Sequence, residues 1–123
     1  MTHFDENKPI FLQVKERIED QIVNDQLKDE EQIPSTTQLV QIYKINHLTI
    51  SKGINLLVEK GVIFKKRGVG MFVAAGAKQK LLEERKETFM DEYVLPMLEE
   101  ADKLGISRGE LESMLKGRKN DEF

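Results

Sequence analysis

A chain of 123 residues with a net charge of -3 is the length of one ordinary domain, with room for a short accessory element and no second large one. Its 39% hydrophobic and 33% charged residues suit a globular protein, and the longest apolar runs, such as residues 69–75, fall far short of the roughly 20 residues of a membrane-spanning helix. The absence of cysteine excludes disulfides, thiolate catalysis and the common zinc sites; His3 and His47 are too isolated to hold a metal, and the polar, acidic start has no signal-peptide pattern, so a cytoplasmic protein without a cofactor is expected.

Pro9 suits the first turn of a helix, and Ile10, Val14, Ile18, Ile22 and Val23 share one face, which predicts a helix over residues 9–24. Residues 25–32 are polar and acidic without a period and read as a loop, with Ile33-Pro34 a short extended piece after it. Ser35 and Gln38 form a capping box that opens a short helix over 36–43, whose apolar face is Leu39, Val40 and Tyr43. Asn46 caps the next helix, 47–60, which buries Ile50, Ile54, Leu57 and Val58 and is closed by Gly61. Two amphipathic helices joined by a short turn and preceded by a third form a helix-turn-helix. The β-prone runs 62–67 and 71–75, with Gly68-Val69-Gly70 between them, add a hairpin wing. Past Gly76, a long helix is expected over 77–103, bent or broken at Pro96, and Gly105 ends it. Ser107 and Glu110 then cap a last helix to residue 116, carrying Leu111, Met114 and Leu115, while residues 118–123 should fray. The expected fold is therefore mostly α with a small β-wing: a winged helix-turn-helix over 1–75 and a short helical tail over 76–123.

The acidic total hides an uneven distribution. Between residues 44 and 75 six basic side chains, Lys44, Lys52, Lys60, Lys65, Lys66 and Arg67, face one acid, Glu59, whereas residues 1–43 hold nine acids and four bases. Phosphate binding requires such a basic surface. The first turns of the second helix of a helix-turn-helix reach base edges in the major groove. Here they present Asn46, His47, Thr49 and Ser51 as hydrogen-bonding groups, Leu48 for a thymine methyl, and Lys52 for a phosphate or guanine. Lys65, Lys66 and Arg67 run into a tip, Gly68, Val69 and Gly70, whose glycines let backbone amides approach the DNA closely. Ser35 joins capping to phosphate contact at a helix start, with Thr37 and Gln38 as weaker candidates. Capping by Asn46 and ordinary hydration of polar side chains would explain several of these residues without DNA. No catalytic constellation, phosphate loop or metal spacing is visible, which excludes the usual enzyme signatures.

In order, spacing and residue type, PIFLQVKERIEDQI, IPSTTQLVQIYKINHLTISKGINLLVEKGVI and KKRGVGMFVA resemble the N-terminal DNA-binding domain of the GntR family of bacterial transcription regulators. The remaining tail is too short for the effector domains of most of that family and is similar to the helical dimerisation segment of the YtrA subfamily. The resemblance implies a homodimer that binds an inverted-repeat operator in double-stranded DNA, represses transcription, and in many such proteins controls an operon for an ABC transporter. It implies an interface along Leu82, Phe89, Tyr93, Met97, Ala101 and Leu104, a stripe whose other use would be packing on its own winged domain. A small-molecule effector has room in this scheme, and no residue identifies it. The family usually carries arginine where Thr37 stands, a polar or basic residue at Leu48, and lysine at Val69. The rival reading is a winged helix used for protein contacts without specific DNA binding.

Overall fold

The structure, a computed structural model, describes residues 4–117, and the chain divides between Glu83 and Glu84 into two compact units. The first contains α1 (Ile10–Val23), β1 (Gln32–Ile33), α2 (Thr36–Tyr43), α3 (His47–Lys60), β2 (Ile63–Lys66) and β3 (Gly70–Val73), and α4 (Ala77–Phe89) begins in it. The helix starts fall where local capping chemistry places them. The Ser35 hydroxyl accepts from the Gln38 amide at 3.1 Å while the Gln38 side chain accepts from the Ser35 amide at 2.8 Å, and Asn46 Oδ1 accepts from the Thr49 amide at 2.8 Å. A cap of this kind is worth about 1 kcal/mol. Lys44 ends α2 at φ 60, a left-handed conformation that turns the chain sharply into α3.

The core of this unit joins Val14, Ile18 and Ile22 of α1 to Leu39 of α2, to Ile50, Ile54 and Leu57 of α3, and to Ile33, Val62, Ile63, Met71 and Val73 of the sheet region. Gly53, in the middle of α3, is what lets α1 and α3 come together: a Cβ there would lie 2.7 Å from the Phe11 carbonyl oxygen and 3.2 Å from Val14. At the same seam the Glu19 carboxylate, on a residue only 4% exposed, is reached by both Lys15 and Lys60.

Three features add to the expected picture. The wing is the larger part of a three-stranded antiparallel sheet of order β1-β3-β2, because Gln32 and Ile33 pair with Phe72 and Met71 on the far edge of β3. Two residues carry no periodicity, and their partners are about 40 positions away. The first unit also runs past Ala75 into α4, since Ala77 and Leu81 are buried in its core at 1% and 0% exposure. The acidic loop between α1 and β1 fastens that start of α4: Asp29 accepts from the Gly76 amide at 3.0 Å and the Asp25 carboxylate receives Lys78 at 2.9 Å.

The second unit continues α4 through a π-helical turn (Met90–Val94) into α5 (Leu95–Lys103), followed by α6 (Arg108–Gly117). Pro96, expected to bend or break the helix, lies just after the wide turn. It has no N–H to offer an i−4 carbonyl, and widening the preceding turn lets the chain stay helical. Gly105, at φ 73, closes α5, and Ser107 and Glu110 form the anticipated capping box with hydrogen bonds of 2.9 and 3.1 Å. No helix among the described residues is long and apolar enough to cross a membrane. The fraying expected of residues 118–123, and His3, lie outside the described residues.

Candidate nucleic-acid interface

The buried face of α3 (Ile50, Gly53, Ile54 and Leu57) fixes which of its side chains can meet a ligand. Asn46, His47, Leu48, Lys52 and Asn55 are exposed, Leu48 to 79%, while Thr49 and Ser51 are half-buried. An exposed leucine at the second position of a helix has no folding role to explain it. His47 Nδ1 and Ser51 Oγ lie 3.4 Å apart one helical turn from each other. The Lys52 ammonium rests 4.2 Å from the centroid of the Phe11 ring, so it leans on α1 while remaining open to solvent.

The wing is a short hairpin with Ile63 opposite Val73, Phe64 opposite Phe72, Lys65 opposite Met71 and Lys66 opposite Gly70. Alternation along β2 sends Lys65 and Lys66 to opposite faces. Lys65 donates to Asn55 Oδ1 on α3 at 3.2 Å; the Lys66 ammonium lies 5.1 Å from the centroid of Phe72, whose ring stacks on Phe64 at 5.6 Å. At the tip the Val69 amide donates to the Lys66 carbonyl at 2.9 Å, closing a turn in which Gly68 has φ 76. Gly70, at φ 145, is pressed against Gln32, whose Nε2 donates to the Val69 carbonyl at 3.1 Å and so ties the tip to β1. Arg67 and Val69 point outward.

A groove of about 830 Å³ runs between the start of α2 and the wing. It brings together Ser35 and Gln38 with Lys65, Lys66, Arg67 and the Gly68-Val69-Gly70 tip. Thr37 is exposed on α2 and does not line it. The amides of a helix start opposite three basic side chains make a surface suited to an anionic backbone. Two residues of this surface were not singled out in the sequence. Asn55 sits four positions after Ser51 and three after Lys52, so extending the exposed stripe of α3 by one turn would have found it. Gln32 carried no such signal, because its contact is 37 positions away.

In the second unit Phe89, Tyr93, Met97 and Leu104 are exposed, at 58%, 64%, 38% and 64%, and the Phe89 and Tyr93 rings lie 5.7 Å apart. Met90, Leu95, Met114 and Leu115 of the same unit are also exposed. Ala101 is instead buried, and its carbonyl accepts from the Ile106 amide. Leu82 belongs to the first unit, half-buried beside Ile22 and Leu27 around a shallow pocket.

The profile of the bacterial regulatory proteins of the gntR family matches residues 11–73. The HTH-type transcriptional repressor YtrA of Bacillus subtilis is 27% identical over 121 residues, which span 92% of this chain and 92% of that protein. A crystal structure described as that of a transcriptional regulator of the GntR family from Bacteroides thetaiotaomicron superposes with a TM-score of 0.75 at 38% identity, covering 88% of this chain and 94% of the other. The crystal structure of AraR(DBD) in complex with operator ORX1 is similar at a TM-score of 0.54 and 32% identity, over 60% of this chain and 90% of that one.

Proposed function

The chain belongs to the gntR family of bacterial regulatory proteins, and from that membership we propose that it works as a homodimeric repressor, reading an inverted-repeat operator with α3 and the wing. It is a DNA-binding transcription regulator of winged-helix fold rather than an enzyme. In the proposed arrangement the first turns of α3 enter the major groove, where His47, Leu48 and Ser51 reach base edges, and the wing carries Lys66 and Arg67 to the backbone of the neighbouring minor groove. Ser35 and the start of α2 receive a phosphate in the groove opposite the wing. The operon it controls would encode an ABC transporter, as the likeness to YtrA suggested from the sequence.

The observation that carries this reading is the basic groove between α2 and the wing, set beside the exposed face of α3 in a chain that is acidic overall. One winged unit offers few phosphate contacts, so two units on two half-sites are needed for useful affinity at physiological salt. Selection of bound duplexes from a random pool tests it: a symmetric consensus with two half-sites is expected. On that duplex, Lys66→Ala with Arg67→Ala should weaken binding to all sequences and flatten the salt dependence, whereas His47→Ala should change the preferred bases. If no duplex is enriched over random DNA at low salt, the chain does not read an operator.

A further inference from the structure

Of the three basic residues leading to the wing tip, Lys65 alone is held to the recognition helix. It lies on the same face of β2 as Ile63, across from the buried Met71, and its ammonium bridges the cleft to Asn55 on α3. Lysine has only donors, so the Asn55 amide must turn its oxygen toward Lys65 and its NH2 group away. Asn55 is exposed, on the solvent side of α3 with Lys52. The cleft between α3 and β2 thus presents a fixed ammonium and a neutral amide donor side by side, both open to solvent.

Adjacent major and minor grooves of a duplex are separated by one sugar-phosphate strand. If α3 occupies the major groove and the wing the next minor groove, that strand must cross the cleft that Lys65 and Asn55 span. Resting on the docking described above, we infer that Asn55 and Lys65 together clamp one phosphate of this strand. Lys65 supplies the charge. Asn55 holds that charge in place through Oδ1, which restrains an otherwise flexible four-carbon stem, and donates its own Nδ2–H to the same phosphate. The clamp also sets the distance between helix and wing, and with it the register between the bases α3 reads and the minor groove the tip meets. Asn55 is on this account a positioning residue as well as a phosphate ligand.

The test uses the full chain and its selected duplex, with each phosphate near the half-site neutralised in turn by methylphosphonate substitution. The parent should lose affinity about 10-fold at one phosphate between the two grooves. With Lys65→Ala the loss at that position should shrink, and the slope of log affinity against log salt should drop by about 0.9. Asn55→Ala should weaken operator and random duplexes alike, and combining it with Lys65→Ala should cost less than the two losses added together. Asn55→Asp separates the roles: a carboxylate still holds Lys65 but repels phosphate, so it should bind worse than Asn55→Ala, whereas a merely structural contact would be preserved by Asp. Parent-like binding by both Asn55 variants, or strict additivity with Lys65→Ala, overturns the clamp while operator reading by the parent stands. A parent that prefers no duplex would instead sink the docking on which the clamp rests.

Discussion

Tyr43 closes the last turn of α2 against the segment that precedes α1. Its ring meets Phe4 edge-on at 6.0 Å, and the Arg17 guanidinium lies 4.1 Å from the Phe4 centroid and 5.9 Å from that of Tyr43. The N-terminal segment is further pinned by Gln13, which accepts from the Asp5 amide and donates to the Asp5 and Lys8 carbonyls. Burial raises the Tyr43 phenol above its ordinary value of 10.0, and the positive charge of Arg17 opposes that without overcoming it. The folded state therefore favours the neutral phenol. The stability this contributes is complete below the unfolded value of about 10 and is lost as pH rises through the higher folded value. Tyr43→Phe keeps the ring and removes the ionisation. Thermal unfolding followed from about pH 8 to 11 should show the parent losing stability more steeply than the variant at the alkaline end. Parallel curves would mean that the phenol is not desolvated as its position implies.

Among the elements, α1 and α3 set the frame on which the interface is built, and their seam combines Gly53 with the Glu19 ion pairs. Glu19→Ala removes the carboxylate that both lysines reach at a largely buried position. Breaking a fully buried pair costs about 3–5 kcal/mol, and the partial exposure of both lysines reduces the expected loss to about 2 kcal/mol by denaturant unfolding. Lys8→Ala, which removes the exposed pair with Glu16, should leave the denaturation midpoint unchanged. Equal effects from the two substitutions would show that burial adds nothing at the seam. The α1–α3 frame also marks where sequence reading stops. The capping boxes at Ser35 and Ser107 and the Asn46 cap were legible, because both partners lie within a few residues of each other. Gly53 makes sense only beside the Phe11 carbonyl, and although Ile33-Pro34 read as extended, the pairing of β1 with β3 leaves no local signature. On α4 one apolar stripe was expected, but the helix serves two units: Ala77 and Leu81 enter the winged core, while Phe89 and Tyr93 are exposed further on. The site was legible to the same extent. The basic run and the first turn of α3 stood out from charge and spacing, and Asn55 lay one turn further along the same exposed stripe, whereas Gln32, which ties the wing tip to β1, became visible only through its partner.

For the molecule as a whole, a -3 chain must bind a polyanion, so the arrangement of charge matters more than its sum. Acids of the α1–β1 loop are partly occupied with Gly76 and Lys78, away from the basic groove between α2 and the wing. A single such groove would still lose affinity steeply with salt, and in the proposed homodimer the exposed apolar side chains of the second unit would offer the remedy by pairing two copies. The rings of Phe89 and Tyr93 lie tilted against each other one turn apart and belong to no core of the described residues, so replacing both with Glu places like charges where two copies would meet. Sedimentation of the full chain should show a dimer for the parent and a monomer for Phe89→Glu with Tyr93→Glu. The winged unit, whose core contains neither residue, should keep its unfolding transition. On an inverted repeat the double variant should bind like a protein engaging one half-site, weaker by on the order of 100-fold, with half the salt slope of the parent. A parent that sediments as a monomer at micromolar concentration would refute pairing through this surface, and so would a double variant that remains a dimer.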